Sequence, residues 1–153
     1  ARLAAKHEGR LALSLSDAWC AERHRAALAS FIADHISLLF GNEDEVASLY
    51  QSSSQDAIAA LADKTDELVV TRGPAGAFIG AGADHHEIPV MPQGPVIDTT
   101  GAGDLFAAGY LFGRTNGFDL LRSGRIASLA AGEVISHIGA RPQTDLKQLA
   151  AGL

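Results

Sequence analysis

Apolar and polar positions alternate along the chain in a pattern that predicts strands and helices in turn up to residue 71. Short apolar runs over 11–15, 36–40 and 68–71 are typical of buried strands. Between them, helical spacing and capping residues predict one long helix over 18–35 and shorter helices over 42–50 and 54–64. A helix is also predicted for residues 1–7. This alternation implies right-handed crossovers and a parallel sheet covered on both faces.

The pattern changes after residue 73. Residues 75–82 and 84–90 are typical of two short strands joined by a glycine-rich turn, which predicts an antiparallel edge to the sheet. A further short strand over 96–97 leads into a second glycine-rich turn. Helical patterns then follow over 103–112, 120–135 and 144–149. Because no repeat or linker interrupts the chain, we expect a single domain over residues 1–153.

Composition and charge narrow the classes of protein to consider. The chain has 153 residues, 47% of them hydrophobic, which is enough for a substantial core. A net charge of −6 offers no general attraction for nucleic acid or an anionic membrane. A single cysteine, Cys20, excludes an intrachain disulfide, and no apolar run reaches the ~20 residues of a membrane span. We therefore expect a cytoplasmic protein that binds neither nucleic acid nor membranes.

The most informative segment runs from Asp98 to Asp104 and reads Asp-Thr-Thr-Gly-Ala-Gly-Asp. Gly101 and Gly103 permit close backbone approach, and the turn opens into a helix whose first N–H groups are unpaired, so an anion is expected there. A carboxylate beside a bound phosphate suits phosphoryl transfer, which needs a group to orient and deprotonate a hydroxyl. The alternative, capping acids and turn glycines, explains each residue singly but not their concentration in one short segment.

This segment resembles the C-terminal signature of the PfkB family of ribokinase-like kinases, Asp-Thr-x-Gly-Ala-Gly-Asp followed by an apolar residue and Phe. The resemblance implies an α/β fold of the ribokinase-like type. In this fold a mostly parallel sheet with an antiparallel edge lies between two layers of helices, in a three-layer αβα arrangement. It also implies that Asp104 is the catalytic base and that Gly101, Ala102 and Gly103 form the anion hole. Thr99 is then expected beside the nucleotide.

Two shorter motifs agree with the resemblance in order and spacing. The segment from Asn42 to Glu45 is similar to the family's Asn-x-x-Glu motif, which implies that these two side chains place magnesium and the nucleotide phosphates through water. The segment from Thr71 to Gly76 is similar to the family's Thr-(Lys/Arg)-Gly-x-x-Gly loop, which implies that Thr71, Gly73 and Gly76 lie at the ATP phosphates. Taken alone, each motif is more simply a helix cap or a hairpin turn.

The last helices carry a less specific signal. Small residues around Ala131, followed by Gly139, are similar to the wall that contacts adenine in the family, although close packing of helices explains them equally well. Some relatives are activated by a monovalent cation such as K⁺ through carbonyls near Asp98 and Thr100. The sequence leaves both points open.

The resemblance implies an enzyme that uses ATP and Mg²⁺ to transfer the γ-phosphoryl group to a hydroxyl of a sugar or nucleoside. It covers the C-terminal portion of the family's domain; the N-terminal region, with most sugar contacts and the β-sheet lid through which relatives form homodimers, has no counterpart here. The alternative is therefore a nucleotide-binding fragment without catalytic activity. A dinucleotide-dependent oxidoreductase is disfavoured because the glycine turn is late and ends in aspartate, and no Walker motif occurs.

Overall fold

The fold was analysed in a computed structural model that describes residues 6 and 9–153. These residues form two compact units. The first contains the described residues up to Arg72 together with Phe78–His85, and the second contains Gly73–Ala77 and His86–Leu153.

The first unit is built on three parallel strands. They are β1 (Ala12–Ser14), β2 (Leu38–Asn42) and β3 (Glu67–Thr71), with β2 paired to both neighbours. The connection from β1 to β2 contains α1 (Ala18–Arg23) and α2 (Arg25–His35), and the connection from β2 to β3 contains α3 (Glu43–Tyr50) and α4 (Ser54–Ala62). Parallel strands require such long crossovers, so the alternation predicted from the sequence is confirmed.

Two further strands complete a sheet with the order β1-β2-β3-β4-β5. They are β4 (Ala77–Ala81) and β5 (Asp84–Ile88). Only residues 72–76 join β3 to β4, and only residues 82 and 83 join β4 to β5. Both links are far shorter than the dozen or so residues of a parallel crossover, so this side of the sheet is antiparallel, as predicted.

The core of the first unit lies between the parallel strands and their helices. Leu39 of β2 and Val70 of β3 are completely buried, as are Ile32 of α2, Val46 of α3 and Leu61 of α4. Strands buried in this way are expected to be continuously apolar rather than alternating. The run Leu38–Phe40 is consequently the part of β2 that the apolar pattern marked most clearly.

The second unit is mainly helical. A 3₁₀ turn (Gly73–Ala75) opens it, residues 89–101 form neither helix nor strand, and α5 (Ala102–Thr115), α6 (Leu120–Val134) and α7 (Leu146–Leu149) follow. A Cβ atom at Gly109 of α5 would lie 2.8 Å from the Cα atom of Ala127 in α6, so these helices pack with their backbones in close approach. No helix in the described part of the chain is long and apolar enough to cross a membrane.

Two predicted elements differ from the structure. The helix predicted over 18–35 is interrupted at His24, where no Gly or Pro marks the break. The strand predicted over 96–97 is absent: Val96 and Ile97 are 65% and 55% exposed, and the Ile97 N–H group donates to the Ile135 carbonyl beyond α6. The helix predicted over 1–7 falls outside the described residues except for position 6.

Candidate active site

The glycine turn before α5 depends on a residue without a side chain at position 101. Gly101 is the N-cap of the helix and has a φ of 83°, in the left-handed region that side chains rarely adopt. A Cβ atom here would lie 2.8 Å from the Cβ atom of Ala140 and 3.1 Å from its Cα atom. Both the backbone conformation and the neighbouring loop therefore require glycine.

Several N–H groups of the turn are unpaired. The Ala102 N–H group donates to the Thr99 carbonyl at 3.2 Å, but within residues 6 and 9–153 the N–H groups of Gly101, Gly103 and Asp104 have no acceptor. A Cβ atom at Gly103 would meet nothing within 4 Å, so the space beside these amides is open. Unpaired amides and the positive end of the helix dipole favour an anion at this position.

Asp104 lies in the first turn of α5, one residue beyond the open glycine. Its side chain is exposed and forms no hydrogen bond or ion pair with any described residue. A carboxylate near an anion site that no described residue engages is available to accept a proton from a substrate hydroxyl. The turn thus places amide donors without a described partner next to a carboxylate without one. The roles of anion hole and catalytic base stay predictions.

The Asp98 carboxylate, at the other side of the turn, accepts three hydrogen bonds. Its Oδ1 atom accepts hydrogen bonds from the Thr100 hydroxyl at 2.6 Å and the Thr100 N–H group at 2.9 Å, and its Oδ2 atom accepts from the Gly139 N–H group at 3.0 Å. These hydrogen bonds, with that of the Thr100 hydroxyl the strongest cause, lower the pKa of Asp98 to about 2. The ionised side chain therefore ties the turn to the loop that follows α6.

The residues predicted for the adenine wall fall into two groups. Among the small and apolar residues around Ala131, Ala130, Gly132 and Val134 are buried. The Met91 carbonyl occupies the position that a side chain at Gly132 would need, so packing of α6 against the segment 89–101 already requires glycine there. Ala131 is only half-buried. Gly139 has a φ of 100° with open space beside it, so Ala131 and Gly139 remain accessible to a ligand.

One acidic residue in this region was not singled out from the sequence. Glu133 of α6 is 2% exposed, and its Oε1 atom accepts hydrogen bonds from the Gln143 N–H group at 2.8 Å and from the Thr144 N–H group and hydroxyl at 3.0 and 3.1 Å. Although burial raises the pKa of Glu133, these hydrogen bonds together lower it below its usual value. Its sequence signal is a charged residue inside an otherwise apolar and small-residue stretch of the helix.

In the first unit, Asn42 and Glu45 satisfy each other at the start of α3. The Asn42 side chain accepts from the Glu45 N–H group, and the Glu45 carboxylate accepts from the Asn42 N–H group and side-chain amide, each at 2.9 Å. Burial is the main cause that raises the pKa of Glu45, and the Asn42 N–H group partly opposes it. This capping box explains both residues locally.

The third motif is divided between the two units. Thr71 ends β3 directly opposite Asn42 in the strand register, so the first unit brings Asn42, Glu45 and Thr71 together. Gly73, in the second unit, has a φ of 52° and open space beside it, which leaves it accessible. Gly76 has a φ of 89°, and the Ile88 carbonyl occupies the position of a side chain there, so close packing against β5 already requires glycine.

The described residues contain no group of three or more His, Cys, Asp or Glu side chains that could hold a metal ion directly. Glu45 fits an indirect role. Each of its carboxylate oxygens accepts one hydrogen bond from Asn42 and retains a further acceptor lone pair, and the residue is 7% exposed. Magnesium commonly keeps several water ligands and binds through substrate phosphates, so such a contact suits it.

Comparison with known proteins identifies the family. The model of the pfkB family of carbohydrate kinases matches residues 1–146. The nucleoside kinase of Methanocaldococcus jannaschii is 35% identical over 118 residues, which are 75% of this chain and 37% of that protein.

Solved structures confirm the ribokinase-like fold class. A probable sugar kinase protein from Rhizobium etli superposes with a TM-score of 0.94 at 36% identity, covering 99% of this chain and 46% of the other. Adenosine kinase from Sinorhizobium meliloti gives a TM-score of 0.93 at 35% identity, covering 99% and 47%. The chain thus spans less than half the length of these relatives. On the match over residues 1–146, the chain belongs to the pfkB family of carbohydrate kinases.

Proposed function

We propose that the protein containing this chain transfers the γ-phosphoryl group of ATP to a hydroxyl of a sugar or nucleoside. The observation that carries the proposal is the turn at the start of α5, where N–H groups of Gly101 and Gly103 and the carboxylate of Asp104 have no partner among the described residues. An anion site alone gains nothing from an adjacent carboxylate. Phosphoryl transfer requires both groups, because one stabilises the migrating charge and the other receives the hydroxyl proton.

The roles follow from this arrangement. Asp104 accepts the proton of the acceptor hydroxyl, and the amides of the glycine turn hold the phosphoryl oxygens as charge develops on them. In other enzymes, a positioned base contributes ~10²- to 10⁴-fold to the reaction rate, and removal of one anion-hole donor lowers the rate ~10²- to 10³-fold. The amides therefore matter to the proposed reaction as much as the base does.

ATP and magnesium are proposed as the nucleotide and its metal. Asn42, Glu45, Thr71, Gly73 and Gly76 are assigned to the phosphates and magnesium, with Glu45 acting through water. Thr99, Ala131 and Gly139 are assigned to the nucleotide. When bound, magnesium neutralises charge on the phosphate oxygens. A monovalent cation held by carbonyls near Asp98 and Thr100 stays a prediction, as does a homodimer.

The class of acceptor is supported by the relatives. One is a nucleoside kinase and another an adenosine kinase, and a third is described as a probable sugar kinase. We therefore propose adenosine first and ribose second as acceptors to test. Both offer a primary hydroxyl for a base such as Asp104.

The test is a coupled assay of the full-length protein with MgATP and either adenosine or ribose. Asp104→Asn should lower kcat by ~10²- to 10⁴-fold while the affinity for a nonhydrolysable ATP analogue, measured by calorimetry, stays near the wild-type value. The matched control is Asp119→Asn, since Asp119 is an exposed aspartate that caps α6 and asparagine caps equally well.

Three outcomes are informative. Equal turnover by wild type and Asp104→Asn would remove Asp104 as the base. Absence of transfer to either acceptor by the wild type would contradict the proposed activity on these substrates. Calorimetry on the 153-residue chain alone addresses the alternative, because analogue binding without transfer would identify a nucleotide-binding fragment.

A further inference from the structure

We propose that Glu133 is a positioning residue for the glycine turn, acting through the loop over residues 136–144. The inference rests on the proposed function and extends it to a residue whose polar side-chain contacts go to the loop over 136–144. The Glu133 carboxylate holds the far end of this loop and the Glu133 backbone carbonyl its near end, while the middle of the same loop contacts the turn.

The contact at the end of the loop is strong and buried. Three donors from Gln143 and Thr144 converge on one carboxylate oxygen of Glu133, at 2.8, 3.0 and 3.1 Å. Its other oxygen lies 3.4 Å from His137 Nε2, and the His137 side chain is itself mostly buried. A buried carboxylate is costly unless it is hydrogen-bonded, so lifting the loop would leave Glu133 uncompensated. The carboxylate therefore favours the docked position of the loop.

The middle of the loop meets the turn at two points. The Gly139 N–H group donates to Asp98 Oδ2 at 3.0 Å, and the other oxygen of Asp98 accepts from Thr100 inside the turn. Ala140 packs against Gly101 so closely that a Cβ atom there would lie 2.8 Å from the Ala140 Cβ atom. One contact orients the peptide before the turn and the other limits the position of the helix N-cap.

The loop is short, so its two ends and its middle move together. It leaves α6 with Ser136, whose hydroxyl donates to the Glu133 carbonyl at 2.7 Å, and it is held again at Gln143 and Thr144 by the carboxylate of the same residue. Residue 133 thus fixes both ends of the segment that carries Gly139 and Ala140. A misplacement of reacting groups by ~1 Å can cost ~10²-fold in rate, so a shift of this loop is expected to reach the reaction.

The experiment uses the full-length protein and two readouts. Glu133→Ala is expected to lower kcat with MgATP and adenosine by ~10- to 10²-fold, because the turn acts on the migrating group. The KM for ATP is expected to rise as well, since the displaced loop carries Gly139, which is assigned to the nucleotide. The Gly139 amide of this variant, followed by NMR, is expected to exchange about tenfold faster with solvent. Glu133→Gln keeps an acceptor oxygen for Gln143 and Thr144, and it should restore most of both properties.

The matched control is Ser128→Ala. Ser128 is another buried polar residue of α6, and its hydroxyl donates to the Pro89 carbonyl at 2.7 Å instead of to the loop over 136–144. Its variant is expected to leave both kcat and Gly139 exchange at the wild-type level. If both variants lower kcat equally, the effect of Glu133 is general destabilisation and the positioning role is wrong.

Amide exchange keeps the two proposals separable. If the wild type transfers no phosphate to adenosine, the proposed function fails, and Gly139 exchange in Glu133→Ala still decides whether Glu133 holds the loop. Unchanged exchange and unchanged kcat in that variant would overturn the positioning role. If Glu133→Ala does not fold, Thr144→Val, which removes one of the three hydrogen bonds, must show the same changes in smaller measure or the inference is wrong.

Discussion

Replacement of Gly101 by alanine tests whether the glycine turn is as tightly enclosed as the structure shows. Two costs apply. The left-handed backbone at φ 83° costs a non-glycine residue about 1–2 kcal/mol. The new Cβ atom would also lie 2.8 Å from the Ala140 Cβ atom and 3.1 Å from its Cα atom, and overpacking of this kind costs about 1–3 kcal/mol. We expect the free energy of unfolding to fall by about 2–5 kcal/mol.

Gly117 provides the matched control. Its φ is 79°, nearly that of Gly101, but a Cβ atom there would meet nothing within 4 Å. Gly117→Ala therefore carries the backbone cost alone, about 1–2 kcal/mol. Any gain from restricting the unfolded chain is shared by both variants and cancels in their difference. The difference of about 1–3 kcal/mol isolates the collision with Ala140.

The measurement is urea unfolding followed by far-UV circular dichroism. Fluorescence is the poorer probe, since Trp19 is already 64% exposed in the folded chain. Adding Ala140→Gly to Gly101→Ala should recover part of the lost stability, because it removes the nearest atom but leaves backbone atoms at 3.1 and 3.2 Å. Equal losses for Gly101→Ala and Gly117→Ala would refute the enclosed turn.

Three further predictions concern the same sites. Gly103→Ala should keep its stability, since the new side chain enters open space, yet lower kcat at least about 10-fold by crowding the anion; unchanged turnover in the coupled assay would contradict this. The pKa of Asp98 is lowered from 3.8 to about 2, so its ionised form stabilises the fold above about pH 4 and this contribution is lost as the pH falls to about 2; the stability difference between wild type and Asp98→Asn should shrink over that range. Asn42→Ala should cost about 1 kcal/mol for the lost cap and a further 1–3 kcal/mol, roughly, for the Oε1 atom of the buried Glu45, which loses its donor while the backbone N–H group of residue 42 still donates to Oε2. Ser53→Ala, at the exposed cap of α4, should cost only the first amount in urea unfolding.

Elements specified by local signals could be predicted from the sequence. Asn42 and Glu45 mark the start of α3, and Gly101 marks the start of α5, because the residues that terminate or cap an element lie within a few positions of it. The buried strand β2 could also be predicted from nearby residues, because a strand covered on both faces is apolar at successive positions.

Elements that depend on distant packing could not be predicted in this way. Val96 and Ile97 are apolar in the manner of a strand, but their backbone is held by Ile135 beyond α6, and no pattern at 96–97 reports that partner. The break at His24 likewise has no local residue signal.

The residues of the candidate site also differ in whether local sequence or distant packing determines their surroundings. Asp104 and the glycines beside it lie in one short segment, so their proximity follows from the sequence alone. The role of Glu133 could not be predicted from the sequence, because its donors include the backbone N–H groups of residues 143 and 144. Any residue except proline supplies such a group. The isolation of Glu133 among small and apolar residues was a sign of a buried role, but the sequence does not show which groups compensate the charge.

The reciprocal pair at the start of α3 has a practical consequence for anyone surveying variants of this protein. Asn42 and Glu45 are proposed to serve the nucleotide, yet each also satisfies the other's polar atoms at the junction of β2 and α3. A cell-based screen that scores growth or yield would therefore record damage at these positions without distinguishing lost ligand contacts from lost folded protein. Only purified variants, compared for ligand affinity at matched folded concentration, would separate the two causes.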